Sequence, residues 1–292
     1  MRRMLVRQRI LIDFLHQASR PVSKLELVKW MFLLRQETCE DIKTSFYDFV
    51  PYHYGPYSFC LAREIDGLVE LGWIHAEDHT WELVRQPEFP SADSKGTGRE
   101  VRSIVRRFAD RPQDDVIDHV YSRFPEYTVN SRRAKLATRK IADPQVFTAG
   151  YEGLQVDGFL NLLVQEGIQS LVDVRSNPIA RRYGFHKGTL SKLCSLLGIQ
   201  YSHMPTLGIR SELRQSLETQ ADYDRLFESY KQSTLVEQRE RVESVSESVS
   251  SQSTVLVCME SCPTRCHRSR LADEVSQITG LPIMHLGQKD DH

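Results

Sequence analysis

The sequence predicts an α/β protein: a parallel sheet flanked by helices in a Rossmann-like, three-layer arrangement, preceded by a mainly helical, winged-helix-like domain. Three observations predict this fold class. The second half alternates short apolar runs with amphipathic stretches, as parallel sheets with crossover helices do. The run Val255–Val257 stops abruptly at thiols, a carboxylate and guanidiniums before helical spacing resumes. The first third contains three helical stretches followed by two short strands.

Length and composition narrow the class of protein. A chain of 292 residues accommodates two domains of ordinary size, and 40% hydrophobic with 26% charged residues is typical of a globular protein. No apolar run approaches the roughly 18 residues of a membrane span. The six cysteines, three scattered and three clustered, fit a reducing compartment better than a disulfide framework. We therefore expect a cytoplasmic protein without a membrane partner, and the net charge of −1 does not identify its partners.

The first domain is predicted from helical periodicity and turn signals. Ser23 is a candidate N-cap, and Glu26 three residues later completes a capping-box pattern. The predicted helices lie at 5–19, 24–34 and 59–71, and the predicted strands at 73–75 and 81–84. Helix, helix, helix and hairpin is the order of a winged helix.

The domain boundary is predicted from composition. Residues 86–99 are rich in Pro, Gly and Ser and predict a loop, and residues 101–124 predict a helical segment broken near Pro112. The predicted organisation is a first domain at 1–130, a linker at 131–145 and an α/β domain at 146–292.

Three segments of the first domain resemble a known family: Lys24-Leu25, residues 49–58 and residues 68–74. Through these three segments, the region from residue 10 to residue 130 resembles the Panacea-type antitoxin domain. The resemblance implies interaction with a protein or a nucleic acid rather than chemistry. A small helical packing domain is the alternative.

The α/β domain is predicted to place polar groups at the ends of its strands. The predicted strands lie at 146–149, 170–174, 199–204, 255–258 and 282–286, with helices at 156–165, 190–197, 212–250 and 269–278. Because the carboxyl ends of parallel strands meet at one edge of a sheet, the side chains that follow them should converge. The side chains expected to converge are Tyr151, Asp173, Arg175, Cys258, Glu260 and Arg268.

Five ordered motifs in the second half carry a further resemblance. They lie at 148–153, 171–178, 183–187, 207–214 and 258–268. With these motifs, residues 146–286 resemble the domain-of-unknown-function 488 family, which implies an α/β fold and a polar site without a settled reaction. In the last motif the chain departs from the family pattern at Cys262.

Acid–base and nucleophilic chemistry is predicted at four residues: Asp173, Cys258, Glu260 and His267. Glu260 and His267 form the candidate acid/base pair, and Cys258 is either a nucleophile or an ordinary small residue that ends a buried strand. Asp173 serves either as a general base or as the partner of Arg175 in a structural salt bridge.

Anion binding is predicted at six residues: Tyr151, Arg175, Arg181, Lys187, Arg214 and Arg268. Arginine suits bidentate binding of phosphate, and the helix that follows residue 268 would direct its N-terminus toward an anion. For the loop residues Arg181 and Lys187, solvated surface charge is the alternative.

The clustered cysteines permit two further chemistries. Cys262 and Arg268 have the spacing of a cysteine phosphatase loop, but Pro263 directly after the cysteine disfavours it. Cys258, Cys262 and Cys266, together with His267, are an alternative set of ligands for zinc or an iron–sulfur cluster, although the spacing of the cysteines is looser than that of typical zinc motifs. No cofactor is predicted from the sequence.

These features predict a protein that processes nucleic acid or nucleotides, in repair, modification or phage defence, with DNA as the expected nucleic acid and a protein partner possible at the first domain. The alternatives are a DNA-binding regulator that senses an anionic ligand and a toxin–antitoxin interaction module.

Overall fold

The computed structural model describes residues 4–37, 46–87, 97–214 and 217–287. The chain divides into two compact units, Met1–Arg139 and Lys140–His292. None of the described helices is long and apolar enough to cross a lipid bilayer.

The described part of the first unit is mainly helical. Its helices are α1 (Val6–Ala18), α2 (Lys24–Glu37), α3 (Phe59–Glu70), α4 (Thr97–Phe108) and α5 (Gln113–Arg123). Its strands are β1 (Val22–Ser23), β2 (Val50–Tyr52), β3 (Gly55–Tyr57), β4 (Ile74–Glu77) and β5 (Thr80–Leu83). The predicted loop at 86–99 falls partly on residues 88–96, outside the described residues.

Local sequence signals explain where these helices begin. The Ser23 hydroxyl accepts a hydrogen bond from the Glu26 amide at 3.1 Å, and the Ser58 hydroxyl accepts one from Leu61 at 3.2 Å, so each serine caps the first turn of a helix. The reciprocal half of the predicted capping box is not formed. The Glu26 carboxylate instead accepts a hydrogen bond from the guanidinium of Arg20 at 2.6 Å, because a cation competes better than a neutral amide for a carboxylate.

The first unit contains a small antiparallel sheet in the order β1-β5-β4, and β2 pairs with β3 in a separate hairpin. The hairpin predicted from Trp73 to Val84 is present as β4 and β5, with Ile74 opposite Leu83. Helix α2 lies at the centre of the core, and its side chains are buried from Glu26 to Leu34.

The second unit is a five-stranded sheet flanked by helices. Its strands are β6 (Val146–Gly150), β7 (Ser170–Asp173), β8 (Gln200–His203), β9 (Thr254–Cys258) and β10 (Ile283–Leu286). Its helices are α6 (Val156–Gln165), α7 (Lys187–Leu196), α8 (Gln220–Gln232), α9 (Thr234–Glu237), α10 (Arg239–Ser251) and α11 (His267–Thr279). The strand order is β10-β6-β9-β7-β8 and every pair is parallel, which confirms the predicted parallel sheet flanked by helices.

The register aligns the strand ends that carry polar residues. Gly150 lies opposite Cys258, and Asp173 lies between Val257 and His203. Strands β6, β7 and β9 are buried along their whole length, which is why they read as continuous apolar runs rather than alternating ones. Reactive side chains therefore follow the central strands at the edge where open α/β sheets bind ligands.

Candidate functional site

The loop after β9 folds over the carboxyl end of β6. A methyl group on Gly150 would lie 1.9 Å from the Glu260 carbonyl oxygen, so only glycine permits this approach. Arg268, 1% exposed, donates to the carbonyl oxygens of Glu260 and, at 2.9 Å, Ser261. Its guanidinium thus holds the loop in place instead of facing an open pocket.

Asp173 and Arg175 form a closed ion pair. Nε of Arg175 donates to Oδ1 of Asp173 at 2.8 Å, and Nη2 donates to Oδ2 at 2.5 Å. The Tyr201 hydroxyl donates to the same Oδ2 at 2.7 Å, and Asp173 is fully buried. Of the two roles predicted for Asp173, these contacts favour the structural salt bridge, because both carboxylate oxygens already accept hydrogen bonds.

Tyr151 completes the surroundings of Arg175. Nη1 of Arg175 donates to the Tyr151 hydroxyl at 2.7 Å and to the Phe185 carbonyl oxygen at 2.8 Å. The Tyr151 ring stacks on Phe185 with centroids 4.0 Å apart. Arg175 and Tyr151, both expected to bind an anion, are therefore engaged with each other and with neighbouring groups.

A second group of side chains, which we call the thiol cluster, lies beside this ion pair and consists of Arg214, Cys258, Glu260, Cys266 and His267. Oε2 of Glu260 accepts hydrogen bonds from the thiols of Cys258 at 3.0 Å and Cys266 at 3.1 Å. Its Oε1 accepts from Nη1 of Arg214 at 2.7 Å. One carboxylate thus bridges two sulfurs and a guanidinium.

The His267 ring is held by both of its nitrogens. Nε2 lies 3.2 Å from the Val174 carbonyl oxygen, which can only accept a proton, so Nε2 donates there. Nδ1 lies 3.0 Å from Nη2 of Arg214 and 4.0 Å from Sγ of Cys258. Because guanidinium groups only donate, Nδ1 carries the lone pair and faces the thiols.

Burial and contact shift the pKa values inside the thiol cluster. The hydrogen bond from the Cys266 thiol holds the pKa of Cys258 well below its usual range despite burial. Burial raises the pKa of Cys266, and burial together with the charge on Cys258 raises the pKa of Glu260. Of the two buried thiols, Cys258 is therefore the one whose ionisation its neighbours favour, and it is the sulfur predicted as a nucleophile.

Three predicted site residues lie on exposed surface apart from the thiol cluster. Arg181 and Lys187 are exposed, the latter as the first residue of α7. Cys262 is also exposed, and its sulfur lies 3.1 Å from the Thr264 hydroxyl. The group of potential metal ligands among the described residues is Cys258, Cys266 and His267. Three of the four residues considered as ligands from the sequence thus converge, and Cys262 is not among them.

A cavity of about 570 Å³ lies next to the thiol cluster, between the loop after β8 and helices α8 and α9. Its lining includes Arg210, Ser229 and Tyr230. The Tyr230 ring is 5.5 Å from the His267 ring, and its hydroxyl donates to the Leu207 carbonyl oxygen. Sequence reasoning missed Tyr230, since it occupies an ordinary helical position far from any motif.

The fold and the site define the class of the second unit: a parallel α/β sheet with a buried cluster of thiol, carboxylate, imidazole and guanidinium groups at its carboxyl edge. The family model described as domain of unknown function DUF488 matches residues 155–275. The matched range contains every residue of the thiol cluster and is narrower than the predicted resemblance over 146–286. No curated protein and no solved structure shows significant similarity to the chain. The Panacea-type resemblance of the first unit stays a prediction.

Proposed function

We propose that the protein processes nucleic acid, with the first unit binding the phosphate backbone and the thiol cluster of the second unit supplying the reactive groups. The observation that carries the proposal is an arginine-rich face on α4. Phosphate contacts from arginine dominate the affinity of nucleic-acid-binding proteins and need no base-specific geometry.

The arginine face of α4 comprises Arg99, Arg102 and Arg106, at helical spacings of three and four residues. With Ser103 and Arg107 they line a surface cavity of about 440 Å³. Arg99 and Arg106 are exposed, and seven residues of helix separate them by about 10 Å. The opposite face of α4 is apolar and buried, so packing holds the arginines outward on a rigid element.

The order of helices and strands in the first unit supports a winged-helix-like domain. The distribution of charged residues on its surface, however, favours nucleic-acid binding by a different surface from the one that winged helices ordinarily use. The surface formed by α3 and the β4–β5 hairpin, where winged helices ordinarily contact a groove, exposes five acidic residues. They are Asp66, Glu70, Glu77, Asp78 and Glu82. Since acidic side chains repel phosphate, we infer that α4, rather than α3 and the hairpin, contacts nucleic acid.

The thiol cluster supports a catalytic role through the character and accessibility of its members. The thiols are buried, whereas the side chains of Arg214 and Glu260 are 30% and 19% exposed. A substrate would thus approach from the Arg214 side, where a guanidinium suits a phosphate. Cys258 would serve as the nucleophile, and Glu260 and His267 would transfer protons.

The second candidate is a regulator that senses a small anionic ligand. The cavity of about 570 Å³ beside the thiol cluster favours it, because that cavity has the size of a small-molecule site and Arg210 contributes to its lining.

The proposal is tested with labelled duplex DNA, single-stranded DNA and RNA, using fluorescence anisotropy across a range of salt concentrations. We expect Arg99→Ala/Arg106→Ala to weaken binding about tenfold or more and to lower the salt slope by about 2, close to 0.9 per lost phosphate contact. The matched control is Arg63→Ala, which removes one exposed arginine from α3.

Two outcomes count against the proposal. If Arg63→Ala weakens binding while Arg99→Ala/Arg106→Ala binds as tightly as the unaltered chain, α3 and not α4 contacts the nucleic acid. The same mixtures are analysed by mass spectrometry beside Glu260→Gln. A product that the unaltered chain forms and that variant does not supports processing. Binding of nucleic acid without any product contradicts processing and favours the second candidate, the regulator.

A further inference from the structure

We propose that Cys258, Cys266 and His267, with Glu260 as a fourth ligand, bind one divalent cation of the zinc class. This proposal does not require nucleic-acid binding by the first unit, since it concerns only donor atoms within the second unit. It is an alternative to the nucleophilic and proton-transfer roles proposed above for the same residues, because a metal ligand cannot serve in those roles at the same time.

The donor atoms already converge. Sγ of Cys258, Sγ of Cys266 and a ring nitrogen of His267 all lie within 4.8 Å of one another. In a tetrahedral site with metal–ligand bonds of about 2.0–2.3 Å, neighbouring donors are about 3.3–3.8 Å apart. The observed distance of 4.0 Å between Sγ of Cys258 and Nδ1 of His267 needs only a small adjustment to reach this value.

Glu260 supplies a fourth donor on the same side. Its Oε2 lies 3.0 Å from Sγ of Cys258 and 3.1 Å from Sγ of Cys266. Carboxylate oxygen is an accepted zinc ligand beside sulfur and nitrogen. Oε2 thus lies on the same side as both sulfurs, and each of these two distances would lengthen to about 3.6 Å around a shared tetrahedral metal.

The orientation of His267 is that of a metal ligand. Histidines that bind metal through one ring nitrogen generally donate the other N–H to a carbonyl or carboxylate, which fixes the ring. Here Nε2 donates to the Val174 carbonyl oxygen at 3.2 Å, and Nδ1 faces the sulfurs. Cys258 ends strand β9 and His267 begins helix α11, so rigid elements hold these ligands.

Arg214 supplies the positive charge that contacts two of the proposed ligands. Its Nη1 lies 2.7 Å from Oε1 of Glu260, and its Nη2 lies 3.0 Å from Nδ1 of His267. A metal would need the same lone pair on Nδ1, so Arg214 would have to withdraw when the metal binds. The Arg214 side chain is 30% exposed, and the residue ends a short 3-10 turn, Ser211–Arg214. The side chain can therefore rotate toward solvent.

The donor set selects the kind of metal. Two thiolates with an imidazole and a carboxylate suit zinc, whereas iron–sulfur clusters generally require more cysteines. Cys262 does not contribute, because it is exposed and its sulfur is paired with the Thr264 hydroxyl.

The test uses the full chain, reduced and stripped with a chelator, and titrated with Co²⁺ as a spectroscopic probe. We expect one equivalent to bind with thiolate-to-cobalt charge-transfer bands, and Zn²⁺ to displace it. Since loss of an outer-shell partner alone costs about 10–100-fold in affinity, Cys258→Ser, Cys266→Ser and His267→Ala should each weaken binding by more than about 100-fold. Cys262→Ser, in the same loop, and Cys194→Ser, buried in α7, are matched thiol controls that keep the site.

A further variant keeps the test decisive if the ligand variants do not fold, as judged by circular dichroism. Arg214→Met retains all four donors and removes the competing guanidinium, so it should bind Co²⁺ more tightly than the unaltered chain. The proposal is overturned if neither the reduced unaltered chain nor Arg214→Met develops charge-transfer bands, or if Cys262→Ser loses them while Cys266→Ser keeps them. None of these readouts depends on nucleic acid, so they stand whether or not the proposed function does.

Discussion

The role of each polar residue at the sheet edge depends on whether its hydrogen-bonding groups are already engaged by neighbouring side chains. Asp173 is surrounded by donors from Arg175 and Tyr201, and the guanidinium of Arg175 is enclosed by Asp173, Tyr151 and Phe185. Such a pair holds its loop in position, and the buried charge of either member depends on the other. Arg214, by contrast, is partly exposed and bridges two members of the thiol cluster.

Neutralising one member of the buried ion pair should destabilise the protein. We expect Asp173→Asn to lower the free energy of unfolding by about 3–5 kcal/mol, because it leaves the Arg175 charge buried without its partner. Denaturant unfolding followed by circular dichroism measures the change. The control is Glu243→Gln, which breaks the exposed pair with Arg239 and should cost less than about 1 kcal/mol. Equal effects of the two variants would show that the buried pair has no structural role.

At the scale of elements, two glycines allow the loops of the site to approach the sheet. A methyl group on Gly208 would lie 2.3 Å from the Ser176 amide nitrogen, and one on Gly150 would lie 1.9 Å from the Glu260 carbonyl oxygen. In both cases the obstacle is backbone, which cannot rotate away as a side chain can. The position of the loop that carries Glu260 thus depends on the absence of a side chain at Gly150, the last residue of β6.

Adding one methyl group should disturb this loop. We expect Gly150→Ala to destabilise the protein by about 1–3 kcal/mol, the usual cost of overpacking, and to weaken Co²⁺ binding because Glu260 is displaced. The control is Gly188→Ala in α7, where no atom lies within 4 Å of the added methyl; there alanine should stabilise the helix by up to about 1 kcal/mol. Thermal unfolding and the cobalt titration compare the two variants. If Gly150→Ala is destabilised but binds Co²⁺ as tightly as the unaltered chain, the position of this loop does not determine metal binding.

At the scale of the molecule, the unfolding of the first compact unit can be measured separately from that of the second. All three tryptophans, at positions 30, 73 and 81, lie in the first unit. The buried Lys29 lies in its core and donates to the Pro56 carbonyl oxygen at 2.9 Å. Burial lowers the pKa of Lys29 to about 7, so the folded first unit holds this amine largely neutral at alkaline pH.

The first unit should become more stable as the pH rises above 7. Between pH 7 and 9 the folded state has lost the Lys29 proton while the unfolded chain retains it, so the stability rises with pH, by up to about 1.4 kcal/mol per pH unit. Below pH 7 both states are protonated and this contribution is constant. Tryptophan fluorescence during denaturant unfolding measures it. Lys29→Met should flatten the profile, and Lys135→Met, which removes an exposed amine, should not. A slope unchanged in Lys29→Met would contradict the assignment.

Patterns of local sequence predicted most of the secondary structure. The apolar runs at 146–149, 170–174 and 255–258 became buried parallel strands, and the break at Pro112 separates α4 from α5. Burial patterns and turn residues act over a few positions, so they can be read from a single sequence. The same reasoning placed Cys258, Glu260 and His267 together, because they share one strand-to-helix connection.

By itself the sequence determined the parallel sheet, the edge at which polar groups gather and the residue types available there. Only the tertiary structure decided their partners: Arg175 and Arg268 are engaged in internal contacts, Cys262 faces outward, and Arg214 joins a histidine 53 positions away. The physical reason is that a guanidinium or a carboxylate has few hydrogen-bonding positions, and distant loops compete for them. Which loop occupies them is set by how the chain returns to the sheet, and no local pattern records that path.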